Sequence, residues 1–124
     1  MVMYKLNNKR KEALNSLIKS INHRVELTQE QAEEAFKDYR LVGVEKDGKT
    51  IGCLMSKENE VHVGIEPEHH SKWYSRRIFR EFIEPIVDEY GSAVSRTTED
   101  NHLGMDFLTR LGFRKEGDWY VYSR

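Results

Sequence analysis

Cysteine occurs once in this chain, at Cys53, which excludes an internal disulfide and a zinc site built from cysteines. Proline occurs twice, at Pro67 and Pro85, and no glycine-, serine- or proline-rich stretch marks a linker. No apolar run approaches the ~20 residues of a membrane-spanning helix. The N-terminal MVMYKLNNKRKEALN also lacks the apolar centre of a signal peptide. Neither sign of charge dominates. Twenty Lys and Arg against twenty-one Asp and Glu leave a formal net charge of −1, which disfavours a generally basic nucleic-acid binder and an acidic disordered tail. Repeats and low-complexity segments are missing too. The expectation is one soluble, cytoplasmic domain over residues 1–124, with no membrane partner.

What is present is a patterned 38% of hydrophobic residues, enough for one core at this length. Residues 3–6 read as a short strand. Ala13, Leu14, Leu17, Ile18 and Ile21 recur at helical spacing, so residues 8–21 read as an amphipathic helix. Thr28 followed by Gln31 is a capping-box pair, opening a second helix expected to bury Ala32, Ala35 and Phe36. LVGVEKD and GKTIGCLMS flank Asp47-Gly48, a strong hairpin signal. EVHVGIE then alternates Val61, Val63 and Ile65, expected inward, against Glu60, His62 and Gly64. Residues 71–90 form the longest helical pattern, with Pro85 expected to kink or restart it and Gly91 to stop it. SAVSRTT reads as a strand, and DNHLGMDFLTRL as a helix turning Leu103, Phe107, Leu108 and Leu111 inward. A closing hairpin turns at Gly117-Asp118. The order β-α-α-β-β-β-α-β-α-β-β requires a crossover, so the fold class is α/β with a mixed sheet flanked by helices.

One strand–loop–helix unit carries chemistry. A helix N-terminus presents unpaired N–H groups and the positive end of the helix dipole, which suits a pyrophosphate. Lys72, Arg76 and Arg77 add positive charge there, although a solvated basic face would read the same way. Two blocks in order then decide the comparison. From about Arg40 to its end, the chain resembles the GCN5-related N-acetyltransferase (GNAT) superfamily. Val63-Gly64-Ile65-Glu66-Pro67-Glu68-His69-His70-Ser71-Lys72 looks like the family's fourth strand and the entry to its acyl-CoA pyrophosphate loop. Asn101 through Phe113 is similar to its N-x-x-A-x-x-x-Y-x-x-x-G-F block, with Asn101, Gly104, Leu108, Gly112 and Phe113 at the matching positions.

The resemblance implies acetyl-CoA as co-substrate and no metal. It places the pyrophosphate on His70, Ser71, Lys72, Trp73, Tyr74, Ser75 and Arg76, and the pantetheine near Asn101. Backbone N–H groups of Val63, Gly64 and Ile65 would serve the acyl oxygen, with His62 or Glu60 taking the amine proton. Departures accompany the matches. In the loop pattern Q/R-x-x-G-x-G/A, laid from His70, the glycines become Trp73 and Ser75, and Leu108 replaces the tyrosine that often protonates the leaving thiolate. Trp73 reads equally well as a core anchor, and His62 as an ordinary strand residue. Tyr74, Tyr120 and Tyr122 are the nearest substitute acids. The loosened loop is similar to that of small phage-type GNAT-like proteins, for which the host cytoplasm would be the location.

Two functions are therefore expected from different classes. One is an N-acetyltransferase acting on a small-molecule or protein amine by direct attack. The other is a catalytically degenerate GNAT fold serving as a protein-binding or virion-associated module, favoured by Trp73, Ser75 and Leu108. A nucleic-acid partner is not expected. Trp119, Tyr120 and Tyr122 on the last hairpin offer aromatic surface for a homodimer.

Overall fold

Two tight turns set the register of the sheet. Asp47 and Gly48 both take positive φ, 53° and 79°, the conformation of a two-residue type I′ hairpin. They join β2 (Arg40–Lys46) to β3 (Lys49–Lys57), and Glu58-Asn59 joins β3 to β4 (Glu60–Ile65). The computed structural model describes residues 4–21, 26–69, 73–96 and 102–123. Before the hairpins come β1 (Tyr4–Asn7), α1 (Arg10–Ile21) and α2 (Gln29–Ala35). After them come a short 3-10 turn at Pro67–His69, α3 (Arg76–Tyr90), β5 (Ser92–Ser95), α4 (His102–Arg110), β6 (Arg114–Glu116) and β7 (Trp119–Ser123). The expected element order is found. Among the described residues, the sheet has seven strands in the order β1-β2-β3-β4-β5-β7-β6. Its β4–β5 pair is parallel and the others are antiparallel. No helix among these residues is long and apolar enough to cross a membrane.

Each face of the sheet carries its own core. On one, Ala13, Leu14 and Leu17 of α1 and Ala32 of α2 pack on Leu41, Cys53 and Met55. On the other, Ile78, Phe82 and Ile86 of α3 cover Val42, Leu54 and Val61, with Leu108 and Phe113 closing the far end. Thr28 forms the expected capping box: its Oγ1 accepts the Gln31 N–H, and Gln31 Oε1 accepts the Thr28 N–H.

Four expectations are corrected. Ala35 is exposed rather than buried, leaving Ala32 as the buried residue of α2, with Phe36 half-buried just past its end. α3 begins at Arg76, not at Ser71, because the Ser75 hydroxyl caps it by accepting the Ile78 N–H at 3.2 Å. The same helix runs unbroken through Pro85, which lies on its exposed side and costs the helix one backbone N–H donor. Tyr120 of the last hairpin is buried in the α3-side core, and Trp119 and Tyr122 are half-buried.

Candidate active site

The sheet opens between its two parallel strands. β5 touches β4 through the single bridge Glu60↔Val94, where Val94 donates its N–H to Asn59 O at 2.8 Å. Beyond it, β4 continues to Ile65 with no described strand beside it on that edge. Glu66 donates to Ile51 O at 3.0 Å, and bonded pairs alternate along an antiparallel ladder. The bonded pairs upstream are therefore Gly64 with Cys53 and His62 with Met55. Gly64 accordingly turns its N–H into the β3 ladder, which corrects its expected place among the acyl-oxygen donors. Val63 and Ile65 turn theirs to the β5 side. Val63 was also expected inward, yet it is 41% exposed between buried Val61 and Ile65. It lies beyond the last described bridge between β4 and β5.

The loop after β4 is tied down at its start. Ser16 Oγ of α1 donates to Glu66 Oε2 at 2.7 Å, and the Tyr4 hydroxyl meets His69 Nδ1 at 3.0 Å. His70, Ser71 and Lys72 lie outside the described residues, as does Asn101. Trp73 is buried, with its ring 5.2 Å from that of Phe107. Tyr74 is 40% exposed and packs edge-on against Phe107. Burial, and then the neighbouring Tyr122, push the Tyr74 phenol upward, so it stays protonated at neutral pH. Ser75 is the α3 cap, and Arg76 is exposed in the first turn beside Arg77, which pairs with Glu81 at 3.0 Å. Leu108 is buried.

On the opposite face of β4, Glu60 and His62 meet. His62 Nε2 lies 2.9 Å from Glu60 Oε2, both side chains being about one-quarter exposed (28% and 27%). A third group, absent from the sequence reading, completes the cluster. The Tyr39 hydroxyl donates to the same Glu60 oxygen at 2.5 Å. Tyr39 is pushed up to about 12, first by that bond to the carboxylate, then by burial. Glu60 is held low, first by Tyr39 and also by His62, against the opposing effect of burial. Arg10 of α1 fixes the turn that carries Tyr39, donating to Tyr39 O at 2.7 Å and to Phe36 O at 3.0 Å. A cavity of about 220 Å³ opens elsewhere, beside Asn7, Arg40 and Glu81 on the α3 side of β1 and β2, away from both features.

No protein-family model and no curated protein sequence matches the chain. Solved structures do. An acetyltransferase of the GNAT family from Staphylococcus aureus Mu50 superposes with a TM-score of 0.70 at 14% identity, covering 97% of this chain and 98% of the other. The spermidine/spermine N-acetyltransferase SpeG from Vibrio cholerae gives 0.75 at 16% identity, with 98% and 94% covered. The fold is that of the GCN5-related N-acetyltransferases. The PaiA N-acetyltransferase from Thermoplasma acidophilum, solved in complex with coenzyme A, shares this GNAT fold with a TM-score of 0.64 at 17% identity, over 95% and 96% of the two chains.

Within this GNAT fold the sequence-derived candidates fall into two groups. Val63 and Ile65 edge the β4–β5 gap, and Trp73 to Arg76 lead into α3. Glu60 and His62 sit on the α1 side of β4, where Gly64 lies so close to α1 that a Cβ there would stand 2.6 Å from Leu17 Cδ1.

Proposed function

We propose that this chain is an N-acetyltransferase that moves the acetyl group of acetyl-CoA to a primary amine. The observation that carries this is the parting of β4 from β5 beside Val63, with a carboxylate–imidazole pair on the same strand. The thioester lies in the gap, and the Val63 N–H meets the acyl oxygen as negative charge develops. The pyrophosphate lies over the start of α3, where the dipole, the first-turn N–H groups and Arg76 favour an anion.

Glu60 orients His62 through Nε2–H, leaving Nδ1 as the proton acceptor. The neutral amine attacks the carbonyl carbon, the C–S bond breaks as the tetrahedral intermediate collapses, and the amine proton passes to His62. CoA leaves as thiolate and takes a proton from solvent or from Tyr74, since a thiol of pKa ~8.5 departs without full acid help. The products are an amide and CoA. The acceptor is a small-molecule or protein amine. SpeG acts on spermidine and spermine, and a polyamine is the first acceptor to try here.

Titration calorimetry with acetyl-CoA tests the first half. No heat and no thermal shift at millimolar ligand would refute it. His62→Ala is expected to slow amine acetylation by about 10²-fold or more while leaving acetyl-CoA affinity within a few-fold. CoA binding with no turnover on any amine would instead favour a binding module, the reading to which buried Leu108 lends support.

A further inference from the structure

Tyr39 has no counterpart in the chemistry described so far, yet its hydroxyl makes the shortest contact in the cluster. It donates at 2.5 Å to Glu60 Oε2, the oxygen that also lies 2.9 Å from His62 Nε2. Its ring stands 6.0 Å from the imidazole and beneath Lys57, whose Nζ is 5.8 Å from the ring centroid. The Arg10 fork on the Tyr39 and Phe36 carbonyls clamps the backbone on either side of it. We propose that Tyr39 is a positioning residue: by donating to the shared oxygen it keeps Glu60 a charged acceptor and leaves His62 as the group that takes the amine proton. This role rests on the acetyl-transfer reading above.

An ionised carboxylate has only lone pairs to offer, whereas a protonated one becomes a donor. With two donors already on Oε2, Glu60 is a poor proton acceptor and a good anchor. Remove the phenol oxygen and the carboxylate is left with His62 and the more distant Lys57 to balance its charge. Glu60 then binds a proton more readily and holds the protonated imidazole more tightly, so the division of labour blurs. Among the described residues, the titratable and charged groups that face Glu60 are Tyr39 from the α2–β2 turn, His62 on its own strand and Lys57 from the end of β3, while Leu17 and Ser20 of α1 approach the same strand at Gly64.

Tyr39→Phe keeps the ring and removes only the oxygen. In the protein without ligand, carboxyl ¹³C titration should show the Glu60 midpoint moving upward in Tyr39→Phe. With acetyl-CoA and an acceptor, kcat should fall about tenfold, short of the loss expected for the base itself. The KM for acetyl-CoA should hold, and the acid limb of the rate–pH profile should move to higher pH. In a Glu60→Gln background the same substitution should change nothing further, because Tyr39 acts through Glu60. An unmoved Glu60 midpoint, or an equal loss in the Glu60→Gln background, overturns the proposal even if acetyl transfer is intact. A moved midpoint with no amine acetylated overturns the acetyl-transfer reading, and with it the role assigned to the cluster.

Discussion

Gly64→Ala is the sharpest structural test of how β4 is seated. A Cβ built at Gly64 meets Leu17 Cδ1 at 2.6 Å and Ser20 Oγ at 2.8 Å. Carbon–carbon contacts are most favourable at about 3.5–4.0 Å, so the new methyl overlaps α1 by about 1 Å. Neither neighbour yields easily. Leu17 is 2% exposed, and the Ser20 hydroxyl donates to Leu17 O at 2.7 Å. Overpacking of this kind costs about 1–3 kcal/mol. Replacing glycine recovers about 0.4–1 kcal/mol by restricting the unfolded chain, which leaves a net loss of about 0–2.6 kcal/mol, centred on about 1.3 kcal/mol. Urea unfolding should show a lower midpoint at unchanged m, and Tm should fall by about 5 °C at the centre of that range. Leu17→Ala alone removes buried methyl groups and costs about 2–5 kcal/mol. The double variant should lose less than the sum, since the cavity accepts the methyl. Strict additivity of Gly64→Ala with Leu17→Ala would refute the close approach of α1 to β4.

Three further outcomes follow from named contacts. Glu60→Gln should bring the Tyr39 phenol down from about 12 toward its ordinary 10, read by ring ¹³C titration. Tyr39 keeps its proton longer in the folded protein than in the unfolded chain. The stability it contributes is therefore present below about pH 10 and is lost as pH rises through about 12, and this alkaline loss should shrink in Glu60→Gln. Burial pushes the Cys53 thiol up to about 12, so disulfide exchange reagents should label it only as fast as the protein opens, with labelling accelerating in step with urea unfolding. Ser75→Ala removes the α3 cap and should cost about 0.5–2 kcal/mol, against a few tenths for Ser75→Gly, by thermal denaturation.

The periodic and turn-bounded parts of the fold were legible because their signals are local. Asp47-Gly48 announces a turn by its need for positive φ, and the α3 stripe announces its buried face. Tyr39 was not legible, and the reason is one extra residue. The ladder runs Lys46↔Lys49 at the turn, but a bulge at Val44/Glu45 leaves Arg40 opposite Ser56. Counted straight back from the turn, Tyr39 would oppose Ser56 and point to the α3 face, because a one-residue slip exchanges the faces of a strand. With the bulge, Tyr39 comes level with Lys57, itself paired with Glu60, and all three meet on the α1 side. Ladder parity likewise separates Val63 from Gly64, neighbours that sequence alone treats alike.

The two sequence departures that most opposed catalysis turn out to be one packing arrangement. Trp73 stands at a position where the GNAT pattern has glycine, and Leu108 where it often has tyrosine. Both are buried in the same core, and Trp73 stacks at 5.2 Å against Phe107, the residue before Leu108. The indole is therefore buried against Phe107 of α4 rather than exposed ahead of the α3 N-terminus. The proposed pyrophosphate seat would consist of backbone N–H groups and exposed Arg76, with the Ser75 hydroxyl committed as acceptor to Ile78. What Leu108 gives up at its position is a hydroxyl. Tyr74, packed on Phe107 and with its phenol pushed up by burial, lies on the same aromatic cluster and carries one. If the exchange of roles holds, Tyr74→Phe should slow turnover most for poor leaving thiols and leave the Glu60–His62 limb of the pH profile where it was.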